Sequence, residues 1–360
     1  VAFVWMALLS GCDTADPAPG ADTPRPGTPT ILVPIQRGYS LSPNGFPENY
    51  SQIEAFWSEV QALGRGSVQA NMLWRDDVAA GTDAGTIPAV AQVAAAQDKL
   101  RDVTLTVVFG WRQGENVRLA VPANPANDWT NEEAVAAFAS MAAAYASANR
   151  PEYLFIGNET DFYAEQDAAD YLRWTAAYRT IRSEIKRASP STLVGTVFNV
   201  EHMMGTGRFS GWTLPVPEAW ILHDASTIDV VGLTLYPHLG TATPAELPAS
   251  YLDGVKALIG DKPVVVTETG WPADASDGQS SGPTPWTPGE AEQEVFVERL
   301  AAMLSGMEVR VVNWLFLHPL TSGASPSVIR TFGSISGRRE DGAERPVYAT
   351  WQAFDVPVAR

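Results

Sequence analysis

From about residue 30 onward, short apolar runs rich in β-branched residues alternate with longer stretches whose apolar positions recur every three or four residues. The runs at 31–35, 67–73, 103–109, 153–156, 193–198, 230–235, 263–267 and 309–316 are predicted strands. Helical spacing is clearest over 50–63, 89–100, 132–148, 164–188 and 289–304, and 346–354 supplies a last helix against the opening of the barrel. The fifth and sixth connections are less regular. A strand followed each time by a helix must re-enter its sheet in the same direction, so the alternation predicts a parallel sheet. Eight is the number of strands that closes such a sheet, and the expected fold is an α/β (β/α)8 TIM barrel over residues 30–360. An open doubly wound sheet is the competitor, but it would carry a glycine-rich phosphate loop after an early strand, and none follows the first strand here.

The pattern breaks at the N-terminus. Residues 1–9 are nearly all apolar and run into Ser10-Gly11-Cys12, a stretch about half the roughly 20 residues a membrane-crossing helix needs. Residues 13–29 are rich in Pro, Ala, Asp, Thr and Gly without periodicity, as in an extended, solvated tether. Leu8-Leu9-Ser10-Gly11-Cys12 resembles the lipobox of bacterial lipoproteins. That resemblance implies that residues 1–12 are a signal-peptide core and lipobox, that Cys12 is acylated, and that the protein is extracytoplasmic and anchored to a bacterial membrane by lipid. The alternative is an incidental apolar terminus with a buried thiol.

Composition narrows the partners. With 24 basic against 41 acidic side chains the formal charge is −17, which repels nucleic acid and anionic lipid surfaces but leaves neutral carbohydrate open. A single cysteine allows no internal disulfide, and four histidines without HxxxH spacing indicate no metal site.

In a barrel of this kind catalytic groups stand at the C-terminal ends of strands. Glu159 ends Tyr153-Leu154-Phe155-Ile156-Gly157-Asn158-Glu159, and Glu268 lies in Val264-Val265-Val266-Thr267-Glu268-Thr269-Gly270-Trp271-Pro272. Two carboxylates aimed at one mouth are costly to bury unpaired. Glycosidic bond cleavage needs such a pair: one protonated to donate to the leaving oxygen, one ionised on the other face of the sugar, about 5–5.5 Å apart when configuration is retained. Unequal burial and mutual repulsion separate the two proton affinities.

These motifs resemble the clan A retaining glycoside hydrolases, whose acid/base follows an asparagine at the end of strand four and whose nucleophile ends strand seven. The resemblance implies that Asn158 bonds the 2-hydroxyl of the sugar, Glu159 is the acid/base and Glu268 the nucleophile. Thr267-Glu268-Thr269-Gly270-Trp271-Pro272 is similar to the nucleophile motif of family 17 β-1,3-glucanases, while Asp229-Val230-Val231-Gly232-Leu233-Thr234-Leu235-Tyr236-Pro237 is similar to family 53 endo-β-1,4-galactanases. The two point to different linkages, so family and linkage stay open at this stage.

Further candidates surround the pair. Tyr236 ends strand six, where its hydroxyl can donate to Glu268, and Trp314 in strand eight matches the clan's aromatic platform beneath the sugar. Arg75 follows strand two, where several clan families carry an arginine that bonds the nucleophile. Trp74, Trp111 and Trp271 are candidates to line subsites, and Glu201, His202, His238 and His318 are candidate polar contacts. The expected activity is that of an endo-acting β-glycosidase on extracellular polysaccharide or oligosaccharide, working by double displacement without a cofactor. A surface glycan-binding lipoprotein and a transglycosylase using the same residues are the alternatives.

Overall fold

Eight parallel strands close on themselves in sequence order in the computed structural model: β1 Gln36–Ser40, β2 Gly66–Leu73, β3 Thr104–Gly110, β4 Tyr153–Ile156, β5 Leu193–Asn199, β6 Val230–Leu235, β7 Val264–Thr269 and β8 Val309–Phe316, with β8 paired back to β1. The structure describes residues 32–33, 35–46, 49–73, 104–110, 129–274, 284–320, 331–355 and 358–359. The signal-peptide and tether segments with Cys12, the helix expected at 89–100, and Trp74, Arg75 and Trp111 lie outside the described residues. The predicted TIM barrel is therefore the fold.

One strand is displaced from its expected place. The run at 31–35 does not enter the barrel; Leu32 and Val33 instead form a two-residue antiparallel ribbon with Val358 and Ala359. The first barrel strand begins at Gln36, in a less apolar stretch, because Gly38 can approach β2 where other residues cannot: a Cβ there would lie 1.7 Å from the Ser67 carbonyl oxygen.

Alternation along the strands separates two cores. Tyr153, Phe155, Val197, Val230, Val265 and Val311 form a small cluster of their own, the packed barrel interior. Gly195 and Gly232 leave room there for Phe155, since a Cβ on either would come within 3.0 Å of its ring. Leu154, Ile156, Phe198, Leu233, Val266 and Val312 point the other way and join the helices in the larger cluster.

Among the described residues the helices are α1 Ile53–Ala62, α2 Glu132–Asn149, α3 Thr160–Gln166, α4 Ala168–Ala188, α5 Val200–Met203, α6 Glu218–Ile221, α7 Asp253–Ile259, α8 Glu290–Leu304 and α9 Pro346–Gln352. In α4 the buried Tyr171, Trp174, Tyr178, Ile181 and Ile185 follow three- and four-residue spacing. The single helix expected at 164–188 is broken at Asp167, whose carboxylate accepts the Asp170 N–H as an N-cap and starts a new helix. No helix among the described residues is long and apolar enough to cross a membrane.

Candidate active site

Strict alternation along β7 places Val265 inward, Val266 outward, Thr267 inward and Glu268 outward, among the helices. The register prevents this. Leu233 pairs with Val266, but Thr234 pairs with Glu268, so Thr267 is an extra residue and Glu268 turns to the barrel mouth. The displaced Thr267 satisfies its hydroxyl on the Leu233 carbonyl at 3.1 Å.

Among the described residues, two neutral donors reach Glu268. The Tyr236 hydroxyl at the end of β6 donates to Oε2 at 2.7 Å, and Gln69 Nε2 in β2 donates to Oε1 at 3.2 Å. Donors on both oxygens favour the ionised carboxylate and fix its plane. The Tyr236 ring is buried, which together with Glu268 pushes its own ionisation far up and keeps it a donor.

Glu159 sits differently. After β4 the chain turns through Gly157 at φ 90° and then Glu159 at φ 49°, ψ 51°, a left-handed conformation that costs a residue with a Cβ about 1–2 kcal/mol. Its Oε1 accepts from Thr234 Oγ1 at 2.8 Å and Asn199 Nδ2 at 3.1 Å. Desolvation, then the charges of Glu268 and Asp161, raise its pKa to about 7 despite those two bonds. Thr234 thus links the two glutamates: its backbone pairs with Glu268 while its hydroxyl holds Glu159. The pair has one member poised to carry a proton near neutrality and one braced for the ionised form, the division acid/base and nucleophilic work requires.

A third carboxyl lies behind them. Glu201, wholly buried in the short α5 that follows β5, accepts from the Tyr236 backbone N–H at 2.8 Å and the Tyr251 hydroxyl at 3.0 Å, and burial raises its pKa to about 7. It anchors the corner that carries Tyr236. Asn158 is half-buried beside Glu159, and among the described residues none donates to its buried Oδ1.

Other expected contacts take different places. Trp314 is only 1% exposed and packs on Phe296 and Trp351 in the helix layer, so it is not a platform at the mouth. Alternation from the inward Val311 sends Trp314 outward, and a bulge follows it: Tyr39 pairs with Trp314 but Ser40 pairs with Phe316, so Leu315 is extra and the half-buried Phe316 takes the inward register. Trp271 is also buried, donating to the Thr287 carbonyl at 2.8 Å, and lines no subsite. Gly270 explains the rest of that motif: at φ 151° it lies where a Cβ would come 2.1 Å from Ile335 and 3.3 Å from Trp314.

The two site histidines are buried as well, not exposed to a ligand. Both nitrogens of His202 face carboxylates, Asp161 at 2.7 Å and Glu165 at 3.0 Å. His238 is enclosed by Tyr236, Trp271, Trp286 and Phe332, without a hydrogen-bond partner on either nitrogen among the described residues, and burial lowers its pKa to about 3. His318 lies 3.9 Å from Glu59 beside the Arg338 ion pair. Sequence reasoning missed Gln69, Asn199 and Thr234, although each was legible as a polar residue in an otherwise apolar strand.

No protein-family model and no curated protein matches the sequence. Solved structures do match in fold. A GH5_18 protein from Streptomyces cattleya, solved with GlcNAc, superposes with a TM-score of 0.62 at 18% identity over 92% of this chain and 83% of its own. A structure of fungal β-1,4-galactanases gives 0.61 at 13% identity, over 89% of this chain and 100% of the other. The exo-β-1,4-mannosidase Op5Man5 from Opitutaceae bacterium strain TAV5 gives 0.61 at 16% identity, over 89% of this chain, which spans only 59% of that longer protein. This chain therefore has the TIM-barrel fold of these glycoside hydrolases.

Proposed function

We propose that the protein is a retaining β-glycosidase acting on polysaccharide or oligosaccharide. The observation that carries the reading is the asymmetry of one carboxyl pair. Glu159, desolvated and beside other carboxylates, holds its proton to about pH 7, while Glu268 is braced by Tyr236 and Gln69. In the first step Glu268 attacks the anomeric carbon as the bond to the leaving oxygen breaks, and Glu159 gives that oxygen its proton. In the second, Glu159 takes a proton from water, whose oxygen attacks the anomeric carbon and releases Glu268 as carboxylate. Asn158, beside Glu159, is placed to bond the 2-hydroxyl of the sugar through its amide, and Phe316 supplies the aromatic face at the mouth that Trp314 does not. The glycoside hydrolases of similar fold support the reaction class.

The linkage proposed is β-1,4 in a galactan-type chain, a reading that rests on the family 53-like stretch, three of whose members have structural roles. Asp229 pairs with Arg182 and Lys186 beneath the barrel, Gly232 admits Phe155, and Tyr236 holds Glu268. Acylation at Cys12 would hold the enzyme outside the cytoplasm, at a membrane where polysaccharide fragments are trimmed. Fatty-acid incorporation that persists in Cys12→Ala contradicts the anchor.

The test of function is hydrolysis of a panel including β-1,4-galactan and β-1,3-glucan by wild type, Glu159→Ala and Glu268→Ala. Loss of at least about 10⁴-fold in kcat for Glu268→Ala supports the reading. Binding without turnover by the wild type would indicate a glycan-binding protein instead.

A further inference from the structure

Glu159 does not choose its own orientation; Asn199 and Thr234 fix it, and Asn199 is itself fixed. The Asn199 side-chain oxygen accepts the His202 backbone N–H at 2.9 Å, which leaves the amide nitrogen as the group facing Glu159. The Asn199 backbone N–H is taken by Asp161 Oδ1 at 2.7 Å, and the other oxygen of Asp161 meets His202 Nδ1 at 2.7 Å. The two bonds from Asp161 tie the first turn of α3 to the β5–α5 corner. The His202 ring lies flat on Phe162 with centroids 3.9 Å apart and an interplanar angle of 21°, and Trp212 flanks it edge-on at 5.4 Å. Its remaining nitrogen reaches Glu165, whose side chain is 60% exposed and forms the solvent end of the chain.

We propose that the Asp161–His202 pair, reached from solvent through Glu165, is a positioning unit that holds the Asn199 amide on Glu159 and balances the negative charge beside it. The proposal rests on the reading of Glu159 as acid/base. None of these three residues touches substrate; they act through Asn199 and through charge. Among the described residues, the titratable groups facing Glu159 are Asp161 on its own helix, Glu268 from β7, Glu201 from the β5 corner and Tyr236 from β6. Those facing His202 are Asp161 and Glu165. Burial pushes the imidazole down, but the two carboxylates outweigh it and raise the ring above its usual range. Burial holds Asp161, the nearest charge on Glu159's own helix, above the usual carboxylate range, and a proton on His202 partly neutralises it when it is ionised.

The signs follow. His202→Gln leaves Asp161 uncompensated, which must raise Glu159 further and move the basic limb of kcat/KM to higher pH. Asp161→Asn removes a negative charge, which must move that limb to lower pH. Shifts of about half a unit or more in opposite directions are expected, with about a tenfold loss of kcat on substrates with poor leaving groups, where proton donation matters most. A merely structural pair would lower stability or kcat without splitting the limbs. Should either buried variant fail to fold, Glu165→Gln at the exposed end decides: NMR titration of the His202 ring in the wild type should show a midpoint above the usual range, falling in the variant.

Limbs that stay at the wild-type position, or move the same way, overturn the proposal, as does a His202 midpoint that Glu165→Gln leaves unmoved. The underlying reading is tested separately by Glu159→Ala with an aryl glycoside whose leaving group needs no proton. Retained first-step turnover with azide rescue of the second confirms Glu159 as acid/base, and then unmoved limbs reject only the positioning unit. Full turnover of natural substrate by Glu159→Ala rejects both.

Discussion

At the scale of single residues, the division of labour between Glu159 and Glu268 comes from what surrounds each carboxyl. Glu268 receives a hydroxyl and an amide on separate oxygens; both donors to Glu159 converge on one oxygen, next to other carboxylates. A hydrogen bond to a charged group contributes about 1.5–3 kcal/mol, so Tyr236→Phe should lower kcat about 10- to 100-fold in steady-state assays while the fold persists. Because Glu159 must begin protonated and its pKa is about 7, kcat/KM should fall as pH rises past about 7. A pH profile flat to pH 9 would contradict that assignment. The two glutamates and Tyr236 were legible in the sequence because a polar residue ending an apolar run is conspicuous. Trp314 was misread because an aromatic in a strand gives no sign of which face it joins.

At the scale of elements, two bulges decide what reaches the mouth. Sequence alternation sends Glu268 and Phe316 toward the helices, and the extra residues Thr267 and Leu315 turn them inward. Nothing in the composition of β7 or β8 announces a bulge, so this part of the site had to come from pairing register. The first strand was misplaced for a related reason: its apolar neighbours at 31–35 outscore Gln36–Ser40, while the close contact at Gly38 that defines the true strand is a property of the partner. The break at Asp167, by contrast, was visible as an N-cap residue ahead of a helical run. Gly232→Val should press a side chain into Phe155 and Val197, destabilising the fold by about 1–3 kcal/mol in urea denaturation.

At the scale of the whole molecule, the alternation that predicted an eight-stranded barrel was the strongest signal, because each helix must bury its stripe on the strands. The price of the site appears in stability. Glu159 and Glu201, each raised to about 7, and His202, also raised, contribute stability that is present at low pH and lost as pH climbs through their folded values. Asp229 and Glu290, lowered by their arginines, act oppositely and lose their contribution only in acid. His238 and His223, lowered by burial to about 3 and about 4, gain stability as pH rises to the ordinary histidine range and offset the glutamates below it. Thermal stability should therefore decline between about pH 6.5 and 8, and Glu159→Gln should melt a few degrees above wild type at pH 8 with the gap closing at pH 5. Calorimetry across that range checks both. The central claim, that Glu268 is the nucleophile of a retaining glycosidase, is tested most directly by incubation with 2-deoxy-2-fluoro-glycosyl fluorides of galactose, glucose and mannose, followed by peptide mass mapping. Displacement of fluoride should leave one fluoroglycosyl group esterified to the peptide carrying Glu268, whereas a label on another residue, or turnover without a label and with inverted anomeric configuration, would contradict it.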